Sequence, residues 1–362
     1  MAKHEQVRKV ALIGDCLAGG GAERVHAMLS VYFEKNGISV SNCIVSDLVA
    51  YEYSGSLLNL GTIIEKGIIG KITRFIALRK FIRRGNFDAV IDFRLRNRFI
   101  TDFLISRFCF PESAIYTVHS GALDYYFPKN AFLSKLLYRN RRIVAVSDAI
   151  RNVIVKNGLS ADVTRLYNPV NFANAEMEDL ILPQLPEKFV LAVGRMNEDV
   201  KQFGHLVEAF YKANLAKENI HLVILGEGRM KHDFEQQATK TGIGSNVHFP
   251  GFANPFPYYK NALFTALSSR NEGFPNVLVE SLSCATPVVS YDCFSGPSEI
   301  IQHGENGLLV NDQDIDQLAE AMRTMALDDD FRERCKSNAV ASVARFDIAI
   351  IGRKWLRLLN FD

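Results

Sequence analysis

No window of this 362-residue chain reaches the roughly eighteen uninterrupted apolar residues that a bilayer-spanning helix needs. Nor does any stretch show the charged start, apolar centre and small-residue cleavage site of a secretory leader. Cysteine is sparse and scattered: Cys16, Cys43, Cys109, Cys284, Cys293 and Cys335 form no CxxC pair and no metal-ligand spacing with histidine. These absences argue against a disulfide scaffold or a cysteine-based zinc site and predict a reducing, cytoplasmic setting with no metal. Short-period repeats and low-complexity tracts are missing. So are zinc fingers and aromatic-interleaved RNA motifs, which makes nucleic acid a poor partner. Gly19-Gly20-Gly21 and Gly226-Glu227-Gly228 both depart from the GxGxxG order, so a nicotinamide cofactor is not expected, and no other cofactor is called for.

With 48% hydrophobic and 23% charged residues, the chain can bury a sizeable core and is longer than one typical domain. Short apolar runs at Val7–Ile13, Val40–Val45, Ala89–Phe93, Ala114–Thr117 and Ile143–Val146 alternate with helical stretches such as Ala22–Lys35. After the breakers Asn168-Pro169 and Pro183–Pro186, a second set follows at Phe189–Val193, His221–Leu225, Val247–Phe249, Leu263–Ala266 and Pro287–Ser290. Strand and helix signals in alternation predict α/β halves with parallel sheets, which bind ligands outside the carboxyl ends of their strands.

Glu272 and Glu280 stand eight positions apart around Gly273-Phe274-Pro275-Asn276-Val277. The turn predicts a helix start near Asn276, whose unpaired N–H groups suit a diphosphate. Glu280 then sits about one turn inside, among apolar neighbours, where a carboxylate needs strong donors; a ribose diol supplies two. Glu272 lies at the mouth, placed to accept from sugar hydroxyls. The plainer reading makes Glu272 a solvated loop residue and Glu280 a cap or ion-pair partner.

Gly251-Phe252, Tyr258-Tyr259-Lys260-Asn261-Ala262, Ser268 to Val277, Glu280, Pro287-Val288-Val289, Gly296-Pro297-Ser298-Glu299-Ile300 and Gly307-Leu308-Leu309-Val310 occur in one order over about sixty residues. This segment resembles the C-terminal half of the family-4 retaining glycosyltransferases of GT-B architecture. The resemblance implies two Rossmann-like parallel-sheet domains facing a central cleft: residues 1–172 on the acceptor side, 173–344 for the nucleotide sugar, and a C-terminal helix, 345–362, crossing back onto the first domain. It also implies that Arg195 and Lys201 clamp the donor diphosphate, and that Gly20 and Gly21 belong to an N-terminal glycine loop near it. His119 would contact the donor sugar and act with Glu272 at the reaction centre. Gln202 follows Lys201 where the family more often has glycine, which puts the shape of that loop in question. Alternatives for these residues are surface ion pairs of Arg195 and Lys201 with Glu198 or Asp199, a simple flexible glycine turn, and a structural histidine.

Charge is unevenly divided. Residues 1–175 carry 24 Lys and Arg against 14 Asp and Glu, a net +10, while residues 176–362 carry 18 against 26, a net −8. Lys71–Arg84 holds six cations and no acid, and Lys135, Arg139, Arg141 and Arg142 form a second cluster. An anionic membrane surface or a lipid-linked pyrophosphate acceptor suits both, unless they are ordinary solvated helix faces. Arg94, Arg96 and Arg98, just beyond a strand end, are candidates for an acceptor phosphate, with solvated loop residues as the plainer reading. The expected activity is transfer of a hexose or N-acetylhexosamine from a nucleotide-diphosphate sugar, UDP foremost, to a glycan or lipid-linked hydroxyl with retention of configuration. The expected place is the inner face of the cell membrane. A sugar-nucleotide epimerase or hydrolase and a silent binding subunit are the rivals.

Overall fold

The computed structural model describes residues 7–172 and 186–361. Most of the expected Pro183–Pro186 breaker segment therefore lies outside the described residues. The chain divides into two compact units, Met1–Pro169 together with Ile348–Asp362, and Val170–Asp347.

The first unit is built on seven parallel strands: β1 Lys9–Gly14, β2 Ser39–Ile44, β3 Ser56–Asn59, β4 Ala89–Asp92, β5 Ile115–Val118, β6 Arg142–Ala145 and β7 Asp162–Arg165. Their order in the sheet is β3-β2-β1-β4-β5-β6-β7. Val10 to Ile13 and Ile115 to Val118 are buried at every position, as expected of central strands covered by helices on both faces. The helix Ile348–Leu359 belongs to this unit. It buries Trp355, and its Gly352 lies so close to the Tyr32 ring that a Cβ there would stand 2.3 Å from it.

In the second unit, β8 Phe189–Val193, β9 His221–Leu225, β10 Val247–Gly251, β11 Phe264–Leu267, β12 Val288–Tyr291 and β13 Gly307–Val310 form a parallel sheet ordered β10-β9-β8-β11-β12-β13. Both units are thus parallel-sheet α/β domains of the Rossmann-like kind. The outer strands β3, β7 and β13 are four residues each and lie outside the apolar runs that predict strands in the sequence. A run such as Asp162-Val163-Thr164-Arg165 is too short and too polar to show the signature of a buried strand.

Each sheet reverses its strand order once, between β1 and β4 in the first and between β8 and β11 in the second. At such a reversal the loops leaving two neighbouring strands part in opposite directions and open a crevice beyond the strands' carboxyl ends. In the second unit those loops are Gly194–Gln202 after β8 and Ser268–Pro275 after β11, which hold Arg195, Lys201, Glu272, Gly273, Phe274 and Pro275.

Candidate functional site

The two loops of the second unit are tied to each other. The Arg270 amide donates to the Val200 carbonyl at 2.9 Å, and the Ser268 hydroxyl donates to the Lys201 and Gln202 carbonyls at 2.8 and 3.0 Å. At their junction Lys201 Nζ donates to Glu272 Oε1 at 2.7 Å, with the side chains 24% and 11% exposed. Lys201 is therefore paired not with Glu198 or Asp199 but with a carboxylate 71 residues away. Asp199 takes an exposed contact from Arg270 instead. Arg195 is exposed, and no ion pair engages it among the described residues.

Gln202 resolves the question about the loop's shape. It adopts φ 46° and ψ 46°, the left-handed conformation that glycine takes without penalty and that costs another residue about 1 kcal/mol or more. Its side-chain amide is buried and exchanges two hydrogen bonds, at 2.7 and 2.8 Å, with that of Gln313. The loop keeps a glycine-like turn because this amide pair offsets the strain. Gln202→Ala, which keeps the strain and loses the pair, should unfold at lower denaturant than Gln202→Gly by about 1 kcal/mol.

The helix Asn276–Ser283 begins at Asn276, with Pro275 in the capping position and no side chain capping the start. Asn276 is thus the first helical residue and not the cap. The turn before it is held from behind: Ser295 Oγ donates to the Gly273 carbonyl at 2.7 Å, and Phe274 packs edge-on against Phe346. Gly296 has φ 98°, and a Cβ on it would stand 2.3 Å from Pro275 Cδ. Ser295 and Gly296 thus support the site although the sequence marks only the breaker pair Gly296-Pro297, within the family-like segment. Gly296→Ala should cost about 2 kcal/mol of stability, measured by chemical denaturation, and displace the Gly273–Pro275 turn.

Glu280, 2% exposed, lies one turn inside this helix and accepts from the Tyr259 hydroxyl at 3.1 Å. Tyr259 is wholly buried. The carboxylate is therefore partly satisfied from within the unit. Ser269 Oγ and Asn271 Oδ1 are covered by protein and lack a hydrogen-bond partner.

In the first unit His119 follows β5. Its Nδ1 lies 3.1 Å from Asn168 Oδ1, so Nδ1 carries the proton and Nε2 is left as an acceptor, covered and unpartnered. Burial is the main cause that lowers its pKa to about 3. His26, stacked on Phe93 and bonded to Asn42, is lowered to about 4 for the same reason. Both imidazoles should remain neutral in an NMR titration down to pH 5. An unfolded histidine takes up a proton near pH 6.5 while these two resist, so their contribution to stability, complete above pH 6.5, is lost as pH falls from there towards 4. Asp102, raised to about 6 chiefly by burial, works in the opposite sense over pH 4–6.

The glycine loop Gly19–Gly21 precedes the helix Gly21–Lys35, and the Glu23 carboxylate lies over Gly20, its oxygen 2.0 Å from where a Cβ would be. An anion reaching Gly20 and Gly21 would have to displace that carboxylate.

Arg94 and Arg96 correct an expectation. Both are buried, 6% and 1% exposed, and turned onto the wholly buried Asp92. Arg94 grips its two oxygens at 2.9 Å each. Arg96 donates to the Thr117 and Arg94 carbonyls at 2.7 and 3.0 Å and lies against the Tyr116, Tyr126 and Tyr138 rings. They shape the loop after β4 and are not presented to an acceptor; only Arg98 is exposed. Removing Arg96 takes a charged donor from the Asp92, Arg94 and Thr117 carbonyls, so Arg96→Ala should destabilise by about 3 kcal/mol in urea unfolding.

Comparison with known proteins agrees with this geometry. Residues 19–174 match the model described as Glycosyltransferase Family 4, and residues 178–341 match that described as Glycosyl transferases group 1. The chain is 28% identical to the Campylobacter jejuni N-acetylgalactosamine-N,N'-diacetylbacillosaminyl-diphospho-undecaprenol 4-alpha-N-acetylgalactosaminyltransferase, over 98% of this chain and 100% of that protein. A second C. jejuni enzyme, an alpha-1,4-N-acetyl-D-galactosaminyltransferase acting on GalNAc-alpha-(1->4)-GalNAc-alpha-(1->3)-diNAcBac-PP-undecaprenol, is 26% identical over 81% of this chain and 80% of its own. Among solved structures, Anabaena HepE in complex with UDP and glucose superposes with a TM-score of 0.78 at 17% identity, covering 98% and 99% of the two chains. The sucrose-phosphate synthase of Thermosynechococcus elongatus gives 0.78 at 20%, covering 98% of each. The chain belongs to the glycosyltransferases of GT-B architecture, family-4 type.

Proposed function

We propose that this glycosyltransferase takes an N-acetylhexosamine or hexose from a UDP-sugar and adds it, with retention of configuration, to a hydroxyl of a lipid-pyrophosphate-linked glycan. The observation that carries the donor side is the placement of Arg195, Lys201, Glu272 and the Gly273–Pro275 turn on the two loops that flank the strand reversal of the second sheet, with Asn276, Val277 and Glu280 on the helix that follows. Both C. jejuni relatives are named for transfer to undecaprenol-diphosphate-linked sugars, and this supports the acceptor class.

In this reading Arg195, Lys201 and the uncapped start of the helix Asn276–Ser283 hold the diphosphate, with Glu280 on the ribose. Glu272 accepts from hydroxyls of the sugar, and in the first unit the bare Nε2 of His119 is an acceptor for a substrate hydroxyl. As the bond from the anomeric carbon to the diphosphate oxygen breaks, negative charge grows on the leaving group, and cations placed there stabilise the transition state more than the ground state. The acceptor oxygen bonds to the same face of the anomeric carbon, and its proton passes to an oxygen of the departing diphosphate. Two protein cations do the work a divalent metal does elsewhere, so transfer should be insensitive to EDTA. Membrane contact through Lys71–Arg84 and Lys135–Arg142, at the cytoplasmic face, completes the proposal.

A thermal-shift series with UDP, GDP and ADP tests the donor. A bound nucleotide raises the melting temperature as ln(1+[L]/Kd), and UDP should give the largest rise. A larger rise with GDP or ADP would overturn the base assignment. Transfer of label from UDP-N-acetylhexosamine to a polyprenyl-diphosphate glycan, with the anomeric coupling constant of the product, tests acceptor and stereochemistry.

A further inference from the structure

A surface helix ordinarily keeps its large apolar side chains on its inner face, and three successive helices of the first unit carry a second apolar set outward. On Gly67–Gly85 the buried positions are Gly70, Leu78 and Ile82. Ile69, Ile72 and Ile76, on the opposite side, are 69%, 53% and 57% exposed, and that side continues into Lys80 and Arg83. On Phe99–Phe108, Asp102 and Ser106 lie inward beside Ile105, while Ile100, Phe103, Leu104 and Phe108 stand outward. On Ala131–Tyr138, Phe132 and Leu136 stand out one turn apart, with Lys135 and Arg139 beside them. The middle helix touches both of the others. Single exposed leucines need no account, but outward apolar stripes on three touching helices do.

The charge around these stripes says what covers them. Among the described residues no ion pair engages Lys71, Lys80, Arg83, Lys135 or Arg139. Lys135 and Arg139 line a cavity of about 600 Å³ together with Arg141 and Glu112, and Arg141 is held there by the Glu112 and Ser106 carbonyls. A second copy of the chain would bring like charges together. An anionic bilayer offers acyl chains to the stripes and phosphates to the cations.

We propose that these three helices form an interfacial membrane surface, with Ile69, Ile72, Ile76, Leu104, Phe132 and Leu136 entering the acyl boundary and the flanking cations resting on anionic headgroups. This deepens the membrane contact proposed above, which charge alone suggested, by making burial of apolar side chains its second half and by adding the helix Phe99–Phe108. The surface orients the first unit on the bilayer that carries a lipid-linked acceptor.

Co-sedimentation with vesicles of phosphatidylcholine alone, and of phosphatidylcholine with about 30% phosphatidylglycerol, tests it. The parent protein should bind the anionic vesicles at least about tenfold more tightly than the neutral ones and weaken as salt is raised. The triple variant Ile72→Glu, Leu104→Glu, Leu136→Glu should lose at least about tenfold in binding to anionic vesicles while its melting temperature and its UDP-induced shift stay parental. Should that variant fail to fold, the lipid and salt dependence of the parent still decides. Failure of the parent to sediment, equal binding to both vesicles, or parental binding by a folded triple variant would each overturn the proposal. Absence of a UDP shift in the parent would count against the donor reading and leave the vesicle result standing.

Discussion

Glu272→Gln should bind free UDP about five- to tenfold more tightly than the parent while transferring sugar about a hundredfold or more slowly. The reason is the 2.7 Å pair with Lys201. In the sugar-free site the carboxylate holds the ammonium that the donor diphosphate would use, so UDP must take Lys201 from a partly buried competitor. On the proposed function an intact UDP-sugar would satisfy both groups at once, its phosphates on Lys201 and its hydroxyls on Glu272. After transfer the hydroxyls would be gone, Glu272 would return to Lys201, and UDP would be released. Glutamine keeps the shape but not the charge, so the competition falls away together with the contact to the sugar. Lys201→Met should lose both, binding UDP about tenfold or more weakly and turning over at least about a hundredfold more slowly. Calorimetry for UDP and initial rates with labelled donor separate the two variants, and weaker UDP binding by Glu272→Gln would contradict this account of the pair.

The second large effect concerns Glu280. Glu280→Gln should weaken UDP binding by about a hundredfold, the worth of two hydrogen bonds to a buried charged acceptor. Uridine separates its role from that of the diphosphate clamp, because Glu280→Gln should abolish uridine binding and Lys201→Met should leave it near parental. Tyr259→Phe is the control. It removes the 3.1 Å bond to the carboxylate and should cost about 1 kcal/mol of stability with little change in UDP affinity. Unaltered UDP affinity in Glu280→Gln would remove the ribose contact from the proposal.

What the sequence showed and what it hid divide along physical lines. The central strands were legible because burial on both faces leaves near-continuous apolar runs, as in Val10–Ile13 and Phe189–Val193. The turn from Glu272 to Asn276 and the helix after it were legible because breakers and helix starts act locally. The Lys201–Glu272 pair was not, since only the neighbouring placement of β8 and β11 brings together loops 71 residues apart. Gln202 looked like a departure from the expected loop, and its partner Gln313 lies 111 positions on. Arg94 and Arg96 were read as outward because they follow a strand end. Asp92, at that same end, turns them inward, and nothing in local spacing tells a guanidinium which way to point. The helices Gly67–Gly85 and Phe99–Phe108 give the same lesson reversed. Periodicity reveals a stripe, and only the packed structure tells which side of it meets solvent.

The central claim is that a sugar-linked diphosphate docks on the loops after β8 and β11. A crystal structure of the protein grown with saturating UDP tests it most directly. The account predicts the diphosphate between Arg195, Lys201 and the start of the helix Asn276–Ser283, the ribose on Glu280, and Lys201 drawn away from Glu272. Nucleotide bound elsewhere, with the Lys201–Glu272 contact intact, would contradict it.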